Sequence, residues 1–238
     1  MAASETVVTD DDRYKIYPFF LCIDVSGSMA GDPIASINSE LPVLHRQISN
    51  DPVTSEVAHL CIVSFSDDAR TELPLGDLSR VSNGEFPTLI TRGATSYSAA
   101  FTQLRQVIQD LYDTRGGRNE RWVRPAVVFL SDGMPTDGNA WTAPLQRLTD
   151  PSWEPHPNMM SIGFGEADRE TILAVAGNKP HRAFFANPEV STGKMLAEFL
   201  QSFSESMVKS AQSVREGKAQ LRFPTPPSLV EIDADDLG

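Results

Sequence analysis

The sequence predicts an α/β domain, a doubly wound, mostly parallel six-stranded sheet with one antiparallel edge strand and strand order 3-2-1-4-5-6. Two observations carry this expectation. Short apolar runs bounded by turn residues alternate with longer stretches of helical period, the pattern of a sheet covered by helices on both faces. One connection is too short for a helical crossover, so one pair of strands must be an antiparallel hairpin.

Taken in order, the expected strands are Tyr17 to Val25, Val57 to Phe65, Arg70 to Leu75, Pro125 to Leu130, Met159 to Phe164 and Arg182 to Ala186. The first helix is expected from Pro33 to Ser49, with Pro33 in the first turn, where its missing N–H is no loss. Pro42 falls near the middle of that helix and should kink or split it. Only Ser66 to Ala69 join the second and third strands, which makes them the hairpin at the sheet edge. Every other connection can be a right-handed crossover. A helix over Tyr97 to Tyr112 places Phe101, Leu104, Ile108 and Leu111 on one face, and Gly116 and Gly117 end it. A last helix, Gly193 to Ser213, repeats the pattern with Met195, Leu196, Phe199, Leu200 and Phe203.

These elements occupy residues 14–213 as one domain. Residues 1–13 are expected as a flexible acidic tail, and residues 214–238, which include FPTPPSLVEIDADDLG, as a Pro-rich acidic one. The 238 residues carry a net charge of −12, and the pI is about 4.7. Such a surface repels nucleic-acid phosphates and anionic lipid, so neither is an expected partner. No run approaches the roughly 20 apolar residues of a membrane span. The N-terminus, MAASETVVTDDDR, is acidic where a signal peptide would be basic and then apolar, so the expected location is cytoplasmic. Cys22 and Cys61, the two cysteines, sit in apolar runs and read as reduced core thiols.

The chemistry concentrates at strand ends. The first strand delivers Asp24-Val25-Ser26-Gly27-Ser28 into a loop, placing three oxygen-bearing side chains within five residues. Hard cations such as Mg²⁺ take oxygen ligands of this kind. Ser26 or Ser28 can equally cap the helix that follows. The fourth strand also ends in an acid, Asp132, followed by Gly133. In a doubly wound sheet whose order reverses between these two strands, ligands bind in the crevice outside their carboxyl ends. The loop Arg92-Gly93-Ala94-Thr95-Ser96 brings a further hydroxyl, Thr95, towards the same crevice, and capping is again its simpler role.

The DxSxS run after the first strand, the GxT loop before a helix and the SDG after the fourth strand resemble the metal-ion-dependent adhesion site of von Willebrand factor A domains, over about Tyr14 to Ala211. That resemblance implies Ser26, Ser28 and Thr95 as hydroxyl ligands, with Asp24 and Asp132 acting directly or through water. It implies Mg²⁺, with Mn²⁺ and Ca²⁺ the other hard cations that fit, and a protein partner that presents an acidic residue to the metal. Surrounding loops place Met29, Asp32, Tyr97, Met134 and Thr136 as expected rim residues, against the simpler reading of loop packing.

A narrower resemblance rests on Met29-Ala30-Gly31-Asp32-Pro33-Ile34, Asn50-Asp51-Pro52, Arg92 to Ser96 and Ser131-Asp132-Gly133-Met134-Pro135-Thr136-Asp137. These segments are similar to the bacterial TerY-like branch, linked to tellurite resistance and stress. Its members are stand-alone cytoplasmic domains associated with a protein kinase and a PP2C-type phosphatase. It makes Thr9, followed by Asp10 to Asp12, a candidate phosphosite, where a solubilising tail is the plainer reading.

The expected function is therefore a non-enzymatic, divalent-cation-dependent adaptor or scaffold. An adaptor subunit of an AAA+ ATPase of MoxR or chelatase type is the alternative within the binding class. A Mg²⁺-dependent phosphatase resembling the haloacid dehalogenases would need a second Asp two residues after the first, and that position is Ser26. His45, His59, His156 and His181 are scattered over different elements, with no spacing for a triad or a zinc site. Gly163-Phe164-Gly165 lacks the third glycine of a dinucleotide loop, and Gly193-Lys194 lacks the upstream glycine of a phosphate loop.

Overall fold

The computed structural model describes residues 14–82, 84–114, 120–177, 181–216 and 221–233. Strand β1 (Tyr14–Asp24) lies at the centre of the sheet. Odd-numbered residues Phe19, Leu21 and Ile23 face one core, and Phe20 and Cys22 face the other. Both faces are covered, which is why the strand is a continuous apolar run rather than an alternating one.

From β1 the chain passes through a short 3₁₀ turn, Gly27–Met29, into α1 (Asp32–Ser49) and α2 (Pro52–Val57). Strands β2 (Ala58–Phe65) and β3 (Ala69–Gly76) form the expected antiparallel hairpin at the edge. Helix α3 (Tyr97–Thr114) leads to β4 (Glu120–Trp122) and β5 (Ala126–Ser131). Then follow α4 (Thr142–Thr149), β6 (Asn158–Gly163), α5 (Arg169–Ala176), β7 (Arg182–Ala186), α6 (Thr192–Arg215) and β8 (Leu229–Ile232). The sheet order is β3-β2-β1-β5-β6-β7-β8, with β4 pairing β1 off that path. Stripped of β4 and β8, this is the expected doubly wound order, with β1 beside β2 on one side and β5 on the other, all parallel.

Three features depart from expectation. Helix α1 runs unbroken through Pro42, because Ile37, Leu41, Leu44 and Ile48 are buried along one face of it. Burying that stripe outweighs the single backbone bond that a proline removes. Strand β4 extends the pairing of β1 towards its N-terminus, with Lys15 opposite Arg121 and Ile16 opposite Trp122. Strand β8 comes from the stretch read as a tail and pairs antiparallel with β7, so the sheet has a second antiparallel edge. Phe223, Leu229 and Ile232 are buried there. The expected helix stop at Gly116 and Gly117 and the candidate phosphosite Thr9 lie outside the described residues.

Candidate metal centre

Parallel strands β1 and β5 end side by side, and their last residues deliver Asp24 and the segment Ser131-Asp132-Gly133 to one crevice. Asp24 is completely buried. One of its oxygens accepts from the Ser26 backbone N–H at 2.8 Å, and the other accepts from the Ser131 hydroxyl at 2.6 Å. Ser26 Oγ lies 3.0 Å from Ser28 Oγ, and Ser28 donates to Asp132 Oδ1 at 2.8 Å. The chain thus closes a ring of oxygens across 104 positions of sequence. No side-chain cap hydrogen bond is made by Ser26 to the turn that follows, so the capping role expected as its simpler reading is not the one it plays.

Thr95 is positioned by its backbone. Its carbonyl accepts from the Thr136 N–H at 2.9 Å and from the Thr136 hydroxyl at 3.1 Å, and its own N–H donates to Thr136 Oγ1 at 3.2 Å. A Cβ built on Gly133 would lie 3.6 Å from Thr95 Oγ1 and 3.9 Å from Ser28 Oγ. Glycine there keeps the space between the two hydroxyls open. All five expected ligands, Asp24, Ser26, Ser28, Thr95 and Asp132, therefore sit around one crevice.

The electrostatics match that arrangement. Burial pushes the Asp24 carboxyl up to about 6, against the opposing pull of its bonds to Ser131 and Ser26, and the nearby Asp132 adds to the rise. Burial also raises Asp132, and Glu166 contributes. Two carboxylates and three hydroxyls, with no thiolate or imidazole, are a donor set for a hard divalent cation rather than for zinc. No cluster of three or more His, Cys, Asp or Glu residues suited to a metal forms among the described residues, so the hydroxyls are essential to any such site.

Of the expected rim residues, Met134 is 60% exposed and Asp32 is exposed at the start of α1. Thr136 is exposed too, but its hydroxyl is engaged with Thr95. Met29 and Tyr97 are corrections, since both are completely buried. Met29 turns into the core because the 3₁₀ turn points it inward. Tyr97 packs edge-on against Phe65, Phe101, Phe129 and Trp141, and its hydroxyl donates to the Gly133 carbonyl at 3.0 Å. It braces the β5 loop from below.

Several contributors were not singled out from sequence. Ser131 holds Asp24 in orientation. Asp137 accepts from Ser96 Oγ and Ser98 N at the start of α3. Asp67, in the β2–β3 turn, accepts from Ala94 N at 3.0 Å, and Ser96 N donates to the Ser66 carbonyl at 2.7 Å. Gly93 has φ +56°, and a Cβ on it would lie 1.9 Å from Asp67 Oδ2. The Thr95 loop is thereby fastened onto the hairpin. A glycine directly before a hydroxyl-bearing loop was the available signal; the acid that meets it lies in a distant turn.

Known proteins place this architecture. The family profile described as von Willebrand factor type A domain matches residues 20–214. The open conformation of the pilus adhesin SpaC from Lactobacillus rhamnosus GG superposes with a TM-score of 0.62 at 13% identity, covering 82% of this chain and 30% of that one. Proximal thread matrix protein 1 from the mussel byssus gives 0.54 at 13% identity, covering 82% of this chain and 49% of that one. The chain thus spans less than half the length of either. Comparison with curated protein sequences found no match. The matched span covers most of the chain, and the chain belongs to the von Willebrand factor type A domain family.

Proposed function

We propose that this domain is a non-catalytic adaptor that grips an acidic group of a partner protein through a divalent cation, Mg²⁺, held by Asp24, Ser26, Ser28, Thr95 and Asp132. Domains of this family commonly bind divalent metal and serve as protein-interaction modules. The observation that carries the proposal is the closure of Ser28 on Asp132 with Ser26 and Asp24 behind them. When bound, the cation supplies a coordination position open to a partner's carboxylate, because neutral hydroxyls leave much of its charge uncompensated.

The protein's residues have separate tasks. Asp24 is held away from solvent and fixed on both oxygens, so it sets the position of the site without competing for a partner. Ser28 and Asp132 lie nearer the surface, where an incoming group would meet them. Exposed Met134 stands beside the crevice and offers an apolar contact to whatever docks.

The segments 29–34, 50–52, 92–96 and 131–137 favour a bacterial, cytoplasmic, TerY-like setting, in which the partners are a protein kinase and a PP2C-type phosphatase. Capture from lysate in Mg²⁺ and in EDTA, compared with Asp24→Ala, tests the mechanism. Partners should be lost in EDTA and in the variant. Partners retained under both challenges would overturn the metal bridge, and an ATPase captured in place of the kinase and phosphatase would replace the setting.

A further inference from the structure

We propose that Met134 is a site of reversible oxidation, and that its conversion to the sulfoxide weakens docking at the metal crevice. The chain carries seven methionines and two cysteines, of which Met1 lies outside the described residues. Met29, Met159, Met160, Met195 and Met207 are each at most 1% exposed, and Cys22 and Cys61 are completely buried. Met134 is 60% exposed. Among the described residues it is therefore the one sulfur that solvent reaches.

That contrast decides which sulfur an oxidant meets. Cysteines are ordinarily the first target, but only as accessible thiolates. Both thiols here are packed into the core, and burial pushes Cys61 up to about 12 and raises Cys22 well above its usual range. Protonated and shielded, neither intercepts an oxidant on its way to Met134.

The loop holds Met134 where the change is felt. On one side of it, the Gly133 carbonyl accepts from the Tyr97 hydroxyl at 3.0 Å. On the other, the Thr136 N–H and hydroxyl donate to the Thr95 carbonyl at 2.9 and 3.1 Å. Pro135 between them fixes a further backbone angle. Residues 133–136 are thus pinned to the start of α3 and to the loop that carries Thr95, and Met134 stands two positions after Asp132 with its side chain in solvent. A modified side chain stays beside the crevice, because the loop cannot carry it away.

The step requires a two-electron oxidant such as hydrogen peroxide. A lone pair of the Met134 sulfur attacks one peroxide oxygen and the O–O bond breaks. The departing hydroxide takes the proton of the transferred oxygen and leaves as water. Sulfur has lost two electrons and peroxide has gained them. Methionine sulfoxide reductase reverses the change, the oxygen leaving as water while a dithiol becomes a disulfide. The sulfoxide is polar where the thioether was apolar, so a partner that buries this side chain loses that contact, while the bonds among Asp24, Ser26, Ser28 and Asp132 are untouched. This second half of the proposal rests on the metal-bridge reading of the crevice.

Trypsin releases Met134 as the sole methionine of residues 122–147, so its oxidation can be followed by mass. Hydrogen peroxide added to the folded full-length chain in Mg²⁺ should make that peptide one oxygen heavier, with fragmentation placing the oxygen on Met134. Met29, Met159, Met160, Met195 and Met207 should stay reduced until urea unfolds the protein. Docking is read with an acidic peptide selected from a displayed random library by binding in Mg²⁺ and elution in EDTA. Oxidation should raise its Kd roughly tenfold, and sulfoxide reductase with a dithiol should restore it, with no change in Mg²⁺ affinity by calorimetry. In Met134→Leu, whatever its starting affinity, peroxide should have no further effect. Oxidation of the buried methionines as fast as Met134 overturns the modification site. An unchanged Kd, a parallel loss of Mg²⁺ affinity, or an equal peroxide effect in Met134→Leu overturns the control of docking. A library that yields no EDTA-eluted peptide defeats the metal bridge and with it the docking to be controlled, while the mass map still decides the modification.

Discussion

Asp24 has no exposed surface, and burial pushes its carboxyl up to about 6 from an ordinary value of 3.8. Without metal, the fold therefore prefers the protonated acid. Below about pH 4 the group is protonated both folded and unfolded and has no effect on stability. As pH rises through that value towards 6 the unfolded chain ionises first, and stability falls. Above pH 6 the folded domain bears the full cost, about 3 kcal/mol for such a shift. Asp24→Asn removes the charge and keeps the contacts, since its carbonyl can accept from Ser26 and its amide can donate to Ser131. In EDTA at pH 7.5 the variant should melt several degrees above the parent, with the two curves converging near pH 4. With Mg²⁺ the parent alone should gain stability. A variant less stable than the parent at every pH would refute this account of the buried charge. Protons also compete with metal for the same carboxylate, so Mg²⁺ affinity measured by calorimetry should fall as pH drops below about 6.

Between elements, the coupling that matters is the seam between the Thr95 loop and the β2–β3 turn. Asp67 fixes the Ala94 N–H, and Gly93 lets the backbone pass where any side chain would collide with Asp67. Asp67→Ala should weaken Mg²⁺ binding roughly 10–100-fold, the usual cost of losing a residue that orients a ligand. Asp67→Asn retains an acceptor for Ala94 and should recover most of that loss. Wild-type affinity in Asp67→Ala would show that Thr95 needs no such support. Gly163, at the end of β6, makes a useful contrast. A Cβ there would lie 2.6 Å from Ile172 Cγ1 and 2.8 Å from Phe185 Cε2. Gly163→Ala should therefore cost about 1–3 kcal/mol by overpacking α5 and β7. Its Mg²⁺ affinity should fall much less than that of Asp67→Ala, because the added Cβ meets Ile172 and Phe185 and not the oxygen-bearing side chains, although Gly163 pairs in register with Ser131. Thermal melts and calorimetry on the two glycine-centred sites, run side by side, separate a positioning defect from a packing defect.

At the scale of the molecule, the parts of the fold that could be read from sequence are those whose signal is local. Long apolar runs such as those around Leu21 and Val128 mark strands buried on both faces, and the spacing of Phe101, Leu104 and Ile108 marks a helix face. The five candidate ligands could be placed together because three of them share a single loop and the sheet's order brings Asp132 and Thr95 to it. The tight turn between β2 and β3 gave the hairpin in the same way. What escaped depends on contacts between distant segments. Tyr97 and Met29 look like loop residues until the turns around them are known to point inward. The three residues of β4 carry no alternation, and β8 is four residues inside a proline-rich acidic stretch. Only pairing with β7, with Leu229 entering the main core and Ile232 joining the cluster of Ile172 and Ala176 on α5, reveals β8 as a strand. That packing makes the C-terminal segment part of the domain's stability. Phe223, Leu229 and Ile232 are each less than a tenth exposed, and burying each such side chain contributes about 1.5–3 kcal/mol. Arg182 adds a two-pronged ion pair to Glu231 at 2.9 and 2.8 Å, together with a bond to the Phe223 carbonyl. The three apolar side chains alone are comparable to the roughly 5–15 kcal/mol that stabilises a typical domain. A chain ended after residue 220 should therefore lose more than about 10 °C in Tm. Restoring residues 221–233 with Phe223→Ala should return only part of the loss. Melting of the shortened chain at the full-length temperature would show that the domain ends with α6 and that β8 merely rests on its edge.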